Sequence, residues 1–126
     1  MENRAFDFNQ PLTTGLCEFL GAFAGDGFTN IYGRHHQTGF VGDSRHDLEY
    51  YTYTISPIAQ NCFNIKPSIY FRKTKNAINV NFYSRQLFYL LTRRFNMPAG
   101  IKFDKVLVPE EVRNHSIEFQ AAFLRG

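Results

Sequence analysis

A chain of 126 residues, 44% hydrophobic with 14 Phe and 7 Tyr, holds enough apolar material for a single cored domain and excludes a disordered one. It contains no run of about 18 apolar residues, which rules out a membrane-spanning helix, and MENRAFDFNQ lacks the basic-then-apolar layout of a secretion signal, so an intracellular, membrane-free location is expected. Cys17 and Cys62 fit neither a disulfide framework nor a zinc pattern and read as thiols of a reducing compartment; the net charge is +3 and the pI near 9.0, only mildly basic.

After a tail over residues 1–12, Thr13-Thr14 can cap a helix running from Gly15 to Gly25, with Gly27 at its C-terminal turn. Its core, EFLGAFAGDG (18–27), holds Gly21 and Gly25 and ends on Asp26. Each interior glycine costs about 1 kcal/mol relative to alanine. A carboxylate at a helix C-terminus faces the unfavourable end of the dipole. Both features need a reason beyond helix stability. Next, FTNIYGRHHQTG and DLEYYTYTIS read as strands around the turn FVGDSRH. Pro57 opens a short helix, PIAQNCFNI. KPSIYFRK and NAINVNFYS are strands joined at Thr74-Lys75-Asn76, and Ser84 caps the helix RQLFYLLTRRF, which stops before Met97-Pro98. The loop PAGIKFDKVLVP leads to a last helix, EEVRNHSIEFQAAFLRG. The order predicts one α+β domain, 1–126, with an antiparallel sheet.

Strand periodicity sorts the side chains. Pro67, Ile69 and Phe71 alternate with Ser68, Tyr70 and Arg72; Ile78, Val80 and Phe82 alternate with Asn79, Asn81 and Tyr83. One face packs under helices and the other stays open. The open face offers Tyr, Asn, Arg and Ser, which donate to base edges and phosphates, although an ordinary solvated face is the plainer alternative. Charge distribution points the same way. Residues 66–105 carry nine basic side chains (Lys66, Arg72, Lys73, Lys75, Arg85, Arg93, Arg94, Lys102, Lys105) against Asp104, so this stretch is +8 and the remainder −5. Such asymmetry fits a polyanionic partner.

Residues 19–27, FLGAFAGDG, resemble the LAGLIDADG motif of homing endonucleases, with Ala24 where the motif has its first Asp and Asp26 at its second. FNIKPSIYFRKTKNAINVNFYS is similar to the family's second hairpin, and MPAGIKFDKVLVPEEV to its Gly-x-Lys-x-x-Lys and Val-Pro segment. The closing AAFLRG resembles the opening of a second LAGLIDADG helix; a rival register sets Glu118-Phe119 and Ala122-Phe123 on Glu18-Phe19 and Ala22-Phe23 at a spacing of 100. The resemblance covers residues 13–126 and implies an αββαββα fold with a saddle-shaped sheet.

It also implies a mechanism: site-specific cleavage of double-stranded DNA by two LAGLIDADG helices packed side by side, with Mg²⁺ or another divalent cation. Gly21 and Gly25 share a helix face, where they admit either a second helix or an intramolecular neighbour. The resemblance places Phe19, Gly21, Ala22 and Gly25 in an interface, with a second copy of the chain or with a second LAGLIDADG domain. Two Asp26-type carboxylates brought together repel unless a cation lies between them. The Asp26 side chain and the Gly25 carbonyl would be its ligands. Lys102 corresponds to the basic residue beside the cleavage centre, supporting transition-state charge or contacting phosphate, and Thr54 is a candidate for the polar second-strand residue near the attacking water. Asn30, Tyr32, Arg34 and His36 fall on the family's base-reading register. Adjacent His35 and His36 point to opposite faces and are not expected to share a metal. Ser68, Tyr70, Arg72, Asn79 and Asn81 continue the DNA face, while Arg45 and Lys75 would touch phosphates. A non-cleaving DNA-binding relative, an RNA maturase or an inactive half of a two-motif chain is the competing expectation.

Overall fold

Thr13 begins the first helix as its sequence demands, its hydroxyl accepting from the Leu16 amide at 3.0 Å. In the computed structural model, which describes residues 6–72, 76–97, 109–114 and 116–126, this helix α1 spans Thr14–Asp26. Leu16, Cys17, Phe19, Leu20 and Phe23 are all fully buried, and Ala22 and Ala24 nearly so. A helix apolar on so much of its circumference must be enclosed. One side meets the sheet, where the Phe19 ring lies 5.4 Å from Phe40 and 5.9 Å from Phe82. Another meets a second helix through Phe63, 5.1 Å away.

Strand β1 (Gly27–Tyr32) follows directly and pairs with β2 (His35–Asp43). The hairpin turns on Gly33-Arg34, Gly33 holding a φ of 60°. A two-residue turn of this kind needs positive φ at its first central position, which glycine supplies without strain. FVGDSRH is therefore only half a turn: Phe40–Asp43 close β2, and the turn is confined to residues 44–47.

DLEYYTYTIS is helical, not a strand. Its chain continues without a break through α2 (Leu48–Tyr50), a π-helical turn at Tyr51–Ile55 and α3 (Ser56–Phe63). Tyr51, Ile55, Ala59 and Phe63, four residues apart, are the positions it buries. That stripe exists only on a helix. The Tyr-Thr-Tyr-Thr alternation looked like a strand because it shows the first buried residue of the stripe with none of the later ones.

The second hairpin is as read, β3 (Ser68–Arg72) with β4 (Ala77–Tyr83). All pairs are antiparallel and the sheet order is β1-β2-β4-β3. Ser84 caps α4 (Arg85–Tyr89), accepting from the Leu87 amide at 3.1 Å, and a π-helical turn at Leu90–Arg94 prolongs it. The expected last helix is two: α5 (Glu110–Arg113), ending at Asn114, and α6 (Ile117–Arg125). Helices cover one face of the sheet around a core of Phe19, Phe23, Phe40, Ile78, Val80 and Phe82.

Candidate nucleic-acid interface

Alternation and register separate the two sheet faces. Thr38 and Phe40 on β2 and Ile78, Val80 and Phe82 on β4 are fully buried beneath the helices. Their strand neighbours line the other face in cross-strand rows: Phe28, Gly39, Asn81 and Ser68 in one, Val41, Asn79 and Tyr70 in the next. Tyr70 and Tyr83 are more than half exposed. The Gln37 amide donates to Asn81 Oδ1 at 2.8 Å, fixing two neighbouring amides. Asn30, Ser68, Tyr70, Arg72, Asn79 and Asn81 thus lie together on the face expected of them.

Several expected readers lie elsewhere. His36 pairs with Ile31 and turns to the helical side, its ring 5.2 Å from Phe88 and 5.6 Å from Tyr89. Counting every second residue from Asp26 fails at the Gly33-Arg34 turn, beyond which the parity of the open face changes. His35 and Gln37 take those places, and Phe28 and Val41 complete the face; the glycine of the two-residue turn was the signal that could have found them. Ile31, opposite His36 on the helical side, stays 52% exposed at the sheet edge. Tyr32 pairs with His35 in the backbone ladder. Arg34 sits in the hairpin turn and Arg45 in the turn after β2, both exposed, with Arg45 Nε 3.5 Å from Asp43. Thr54 belongs to the π-helical turn, so it is no second-strand residue. Lys75 and Lys102 lie outside the described residues.

Asp26 ends α1 at the margin of the open face. With Gly25, Gly27, Phe28, Val41, Arg72 and Asn79 it lines a cavity of about 410 Å³. The Tyr51 hydroxyl donates to Asp26 Oδ2 at 3.5 Å. Burial, reinforced by the Asp26 and Asp47 carboxylates, pushes that hydroxyl well above the ordinary tyrosine range, so it is a donor at neutral pH. Asn79 Oδ1, also at this cavity, is a buried acceptor with no hydrogen-bond partner among the described residues. Among the described residues no three His, Cys, Asp or Glu side chains form a metal cage. The oxygens on offer are the Asp26 carboxylate and nearby carbonyls. That set suits a hard cation that keeps most of its waters and takes one or two carboxylates plus phosphate, as Mg²⁺ does.

The helix interface expected with a second chain is filled from within. Phe19 is a core residue against Phe40, Phe63 and Phe82, and Ala22 is 4% exposed. A Cβ on Gly21 would occupy the position of the Phe123 carbonyl, so Gly21 is the contact point of α1 with α6 of the same chain. A Cβ on Gly126 would in turn run into the Glu18 carbonyl. These contacts are reciprocal: one offset, 105 residues, relates Glu18 to Phe123 and Gly21 to Gly126. Residue pairs exchanged in this manner mark a two-fold relation. The packing follows the AAFLRG register and not the spacing of 100. A Cβ on Gly25 would meet nothing within 4 Å among the described residues. Glu18, beside the contact, accepts from the Tyr50 hydroxyl at 2.9 Å and lies 3.7 Å from Arg125 Nε.

The architecture matches solved structures. Mesophilic variants of the homing endonuclease I-DmoI superpose with a TM-score of 0.56 at 18% identity, over 88% of this chain and 54% of theirs. I-DmoI in complex with DNA and Mn gives 0.55 at 18% identity, over 88% and 58%. The chain has the homing-endonuclease fold. An I-DmoI variant on its target DNA nicked in the coding strand gives the same score at 19% identity, over 88% and 57%. This chain therefore spans little more than half the length of the homing-endonuclease chains it matches. No protein-family model matches the sequence, and no curated protein does. Among the described residues no helix is long and apolar enough to cross a membrane.

Proposed function

We propose that the protein is a divalent-metal-dependent DNA endonuclease of the LAGLIDADG type. The observation that carries this reading is the position of Asp26, at the end of a helix paired about a local two-fold and at the margin of an open sheet face built from Asn, Gln, Tyr, Ser and Arg. In the proposed complex the open face lies in a DNA major groove, wide enough to admit a two-stranded ribbon. Asn30, Gln37, Asn79 and Asn81 meet base edges. Arg34, Arg45, Arg72 and Lys75 meet phosphates and set the register without reading sequence.

The Asp26 carboxylate and the Gly25 carbonyl would hold the cation, Mg²⁺ being the proposed one. Bound there, it supplies charge stabilisation and lowers the pKa of a bound water near the scissile phosphate. Lys102 is assigned to the developing phosphate charge. Val41, next along β2 from the Phe40 that pairs with Gly27, lines this cavity and is not polar, so Arg72 and Asn79 are the polar side chains besides Asp26 that would order water there.

A second half completes the proposed unit. On α6, Ile117 and Leu124 are 83% and 76% exposed and, with Ala121 between them, form an outward apolar stripe. By the 105-residue offset Ala121 and Leu124 correspond to Leu16 and Phe19, which α1 buries completely. The stripe thus calls for a second sheet packed on α6 as the first is packed on α1. This favours pairing with a further half-domain over dimerisation through α1, whose glycine face is already taken.

The test is incubation of supercoiled DNA libraries with the protein and Mg²⁺, beside Asp26→Asn. Nicked or linear product from the wild type alone, with DNA retained by both, is expected. Retention without scission by either would leave a non-cleaving DNA-binding protein.

A further inference from the structure

We infer that Tyr51 is the positioning residue for the Asp26 carboxylate, a role that rests on the reading of Asp26 as the metal ligand. Asp26 is exposed at a helix end, where a short side chain would otherwise rotate freely. Tyr51 reaches it from a different element, and everything about Tyr51 fixes where its hydroxyl lies. Its ring is 2% exposed and packs 5.5 Å from Phe40. It passes across the backbone of Gly42, where a Cβ would stand 2.7 Å from the ring edge. The Ser56 hydroxyl donates to the Tyr51 carbonyl at 2.8 Å and pins the π-helical turn from which the ring projects. A buried tyrosine hydroxyl needs a partner, and among the described residues that partner is Asp26 Oδ2, at 3.5 Å.

The neighbouring Tyr50 gives the internal comparison. Its hydroxyl donates to Glu18, eight residues before Asp26 and so about 12 Å along the helix. Two adjacent tyrosines therefore hold two carboxylates of α1, one beside the α6 contact and one at the cavity. Tyr51 engages Oδ2 of Asp26, whose carboxylate lines the cavity in which a cation would sit. Groups that orient a ligating carboxylate in this manner typically change metal affinity 10- to 100-fold when removed.

The probe is Mn²⁺ alone, its binding to the intact chain followed by electron paramagnetic resonance, without DNA or turnover. Tyr51→Phe should raise the Mn²⁺ midpoint about 10- to 100-fold. Gly42→Ala, which displaces the ring while keeping the hydroxyl, should raise it too, and Tyr50→Phe should leave it unchanged even where it lowers Tm. Asp26→Asn should abolish binding. A wild-type midpoint in Tyr51→Phe, with binding lost in Asp26→Asn, overturns the positioning role and leaves the metal reading standing. Wild-type binding by Asp26→Asn overturns the metal reading itself, and this inference with it.

Discussion

Cys17 lies at 0% exposure within α1, and burial, with the Glu111 carboxylate as the second cause, raises its thiol from an ordinary 9.0 to about 11. The folded state holds this proton where the unfolded chain has begun to release it. Stability from this source is whole below pH 9 and is lost as pH climbs through 11. The Tyr50 and Tyr51 hydroxyls, raised above 10.0 mainly by burial, add to the same alkaline loss. Urea midpoints should therefore fall steadily between pH 9 and 11, and Cys17→Ala should flatten the first part of that fall. Arg94 gives a second residue-scale prediction. It is 11% exposed, bonds both Glu111 oxygens at 3.2 and 3.3 Å and donates to the Phe8 carbonyl at 3.0 Å, tying the N-terminal segment and α5 to the π-helical turn that prolongs α4. Arg94→Ala should cost about 1.5–3 kcal/mol in chemical denaturation, the range for hydrogen bonds to a charged group. Asp26 was legible in the sequence because a carboxylate placed against a helix dipole asks for a reason. Tyr51 was not, since the reach of a side chain from residue 51 to residue 26 is a tertiary fact.

At the scale of elements, the pairing of α1 with α6 turns on two glycines. Any side chain at Gly21 meets the Phe123 carbonyl, which is backbone and cannot swing aside. Gly21→Ala should cost about 1–3 kcal/mol by the range for overpacking, and Gly21→Leu should detach α6 altogether. Thermal melts and protease sensitivity of residues 117–126 would register this; a wild-type melt for Gly21→Leu would mean that the two helices do not touch there. Gly25→Ala, whose Cβ meets nothing within 4 Å among the described residues, should leave α6 attached and raise the melt slightly. The glycine pair itself was visible in the sequence, and so was the near-repeat at the end of the chain. What stayed hidden was the partner, because spacing alone allows a neighbour from the same chain or another. The helical stretch 48–55 was misread for a related reason, whereas the helix opened by Pro57 was read as it stands. Local propensity of Tyr, Thr and Ile favours strands, and only burial at every fourth residue overrides it. β3, β4 and the Ser84 cap were read correctly because each carries its evidence within a few residues.

For the molecule as a whole, the stretch 66–105 carries +8 against −5 elsewhere, and its strands supply half of the open sheet face. If that face seats DNA, binding must release counterions. The logarithm of the affinity should fall linearly with the logarithm of salt concentration, by about 0.9 for each phosphate neutralised. Side chains on the face then divide into two classes. Arg72→Ala should reduce the slope by about 0.9 and weaken all sequences alike, since a phosphate contact carries no sequence information. Asn30→Ala and Gln37→Ala should leave the slope unchanged and relax the preferred bases at one position each, at about 1–3 kcal/mol of discrimination. For Gln37 the effect should extend to the base read by Asn81, because the 2.8 Å bond between the two amides sets the orientation of both. Selection from a random DNA library, run with each variant at two salt concentrations, separates these outcomes. A slope that Arg72→Ala does not change, with base preferences that Gln37→Ala does not alter, would move the DNA-binding surface off this sheet.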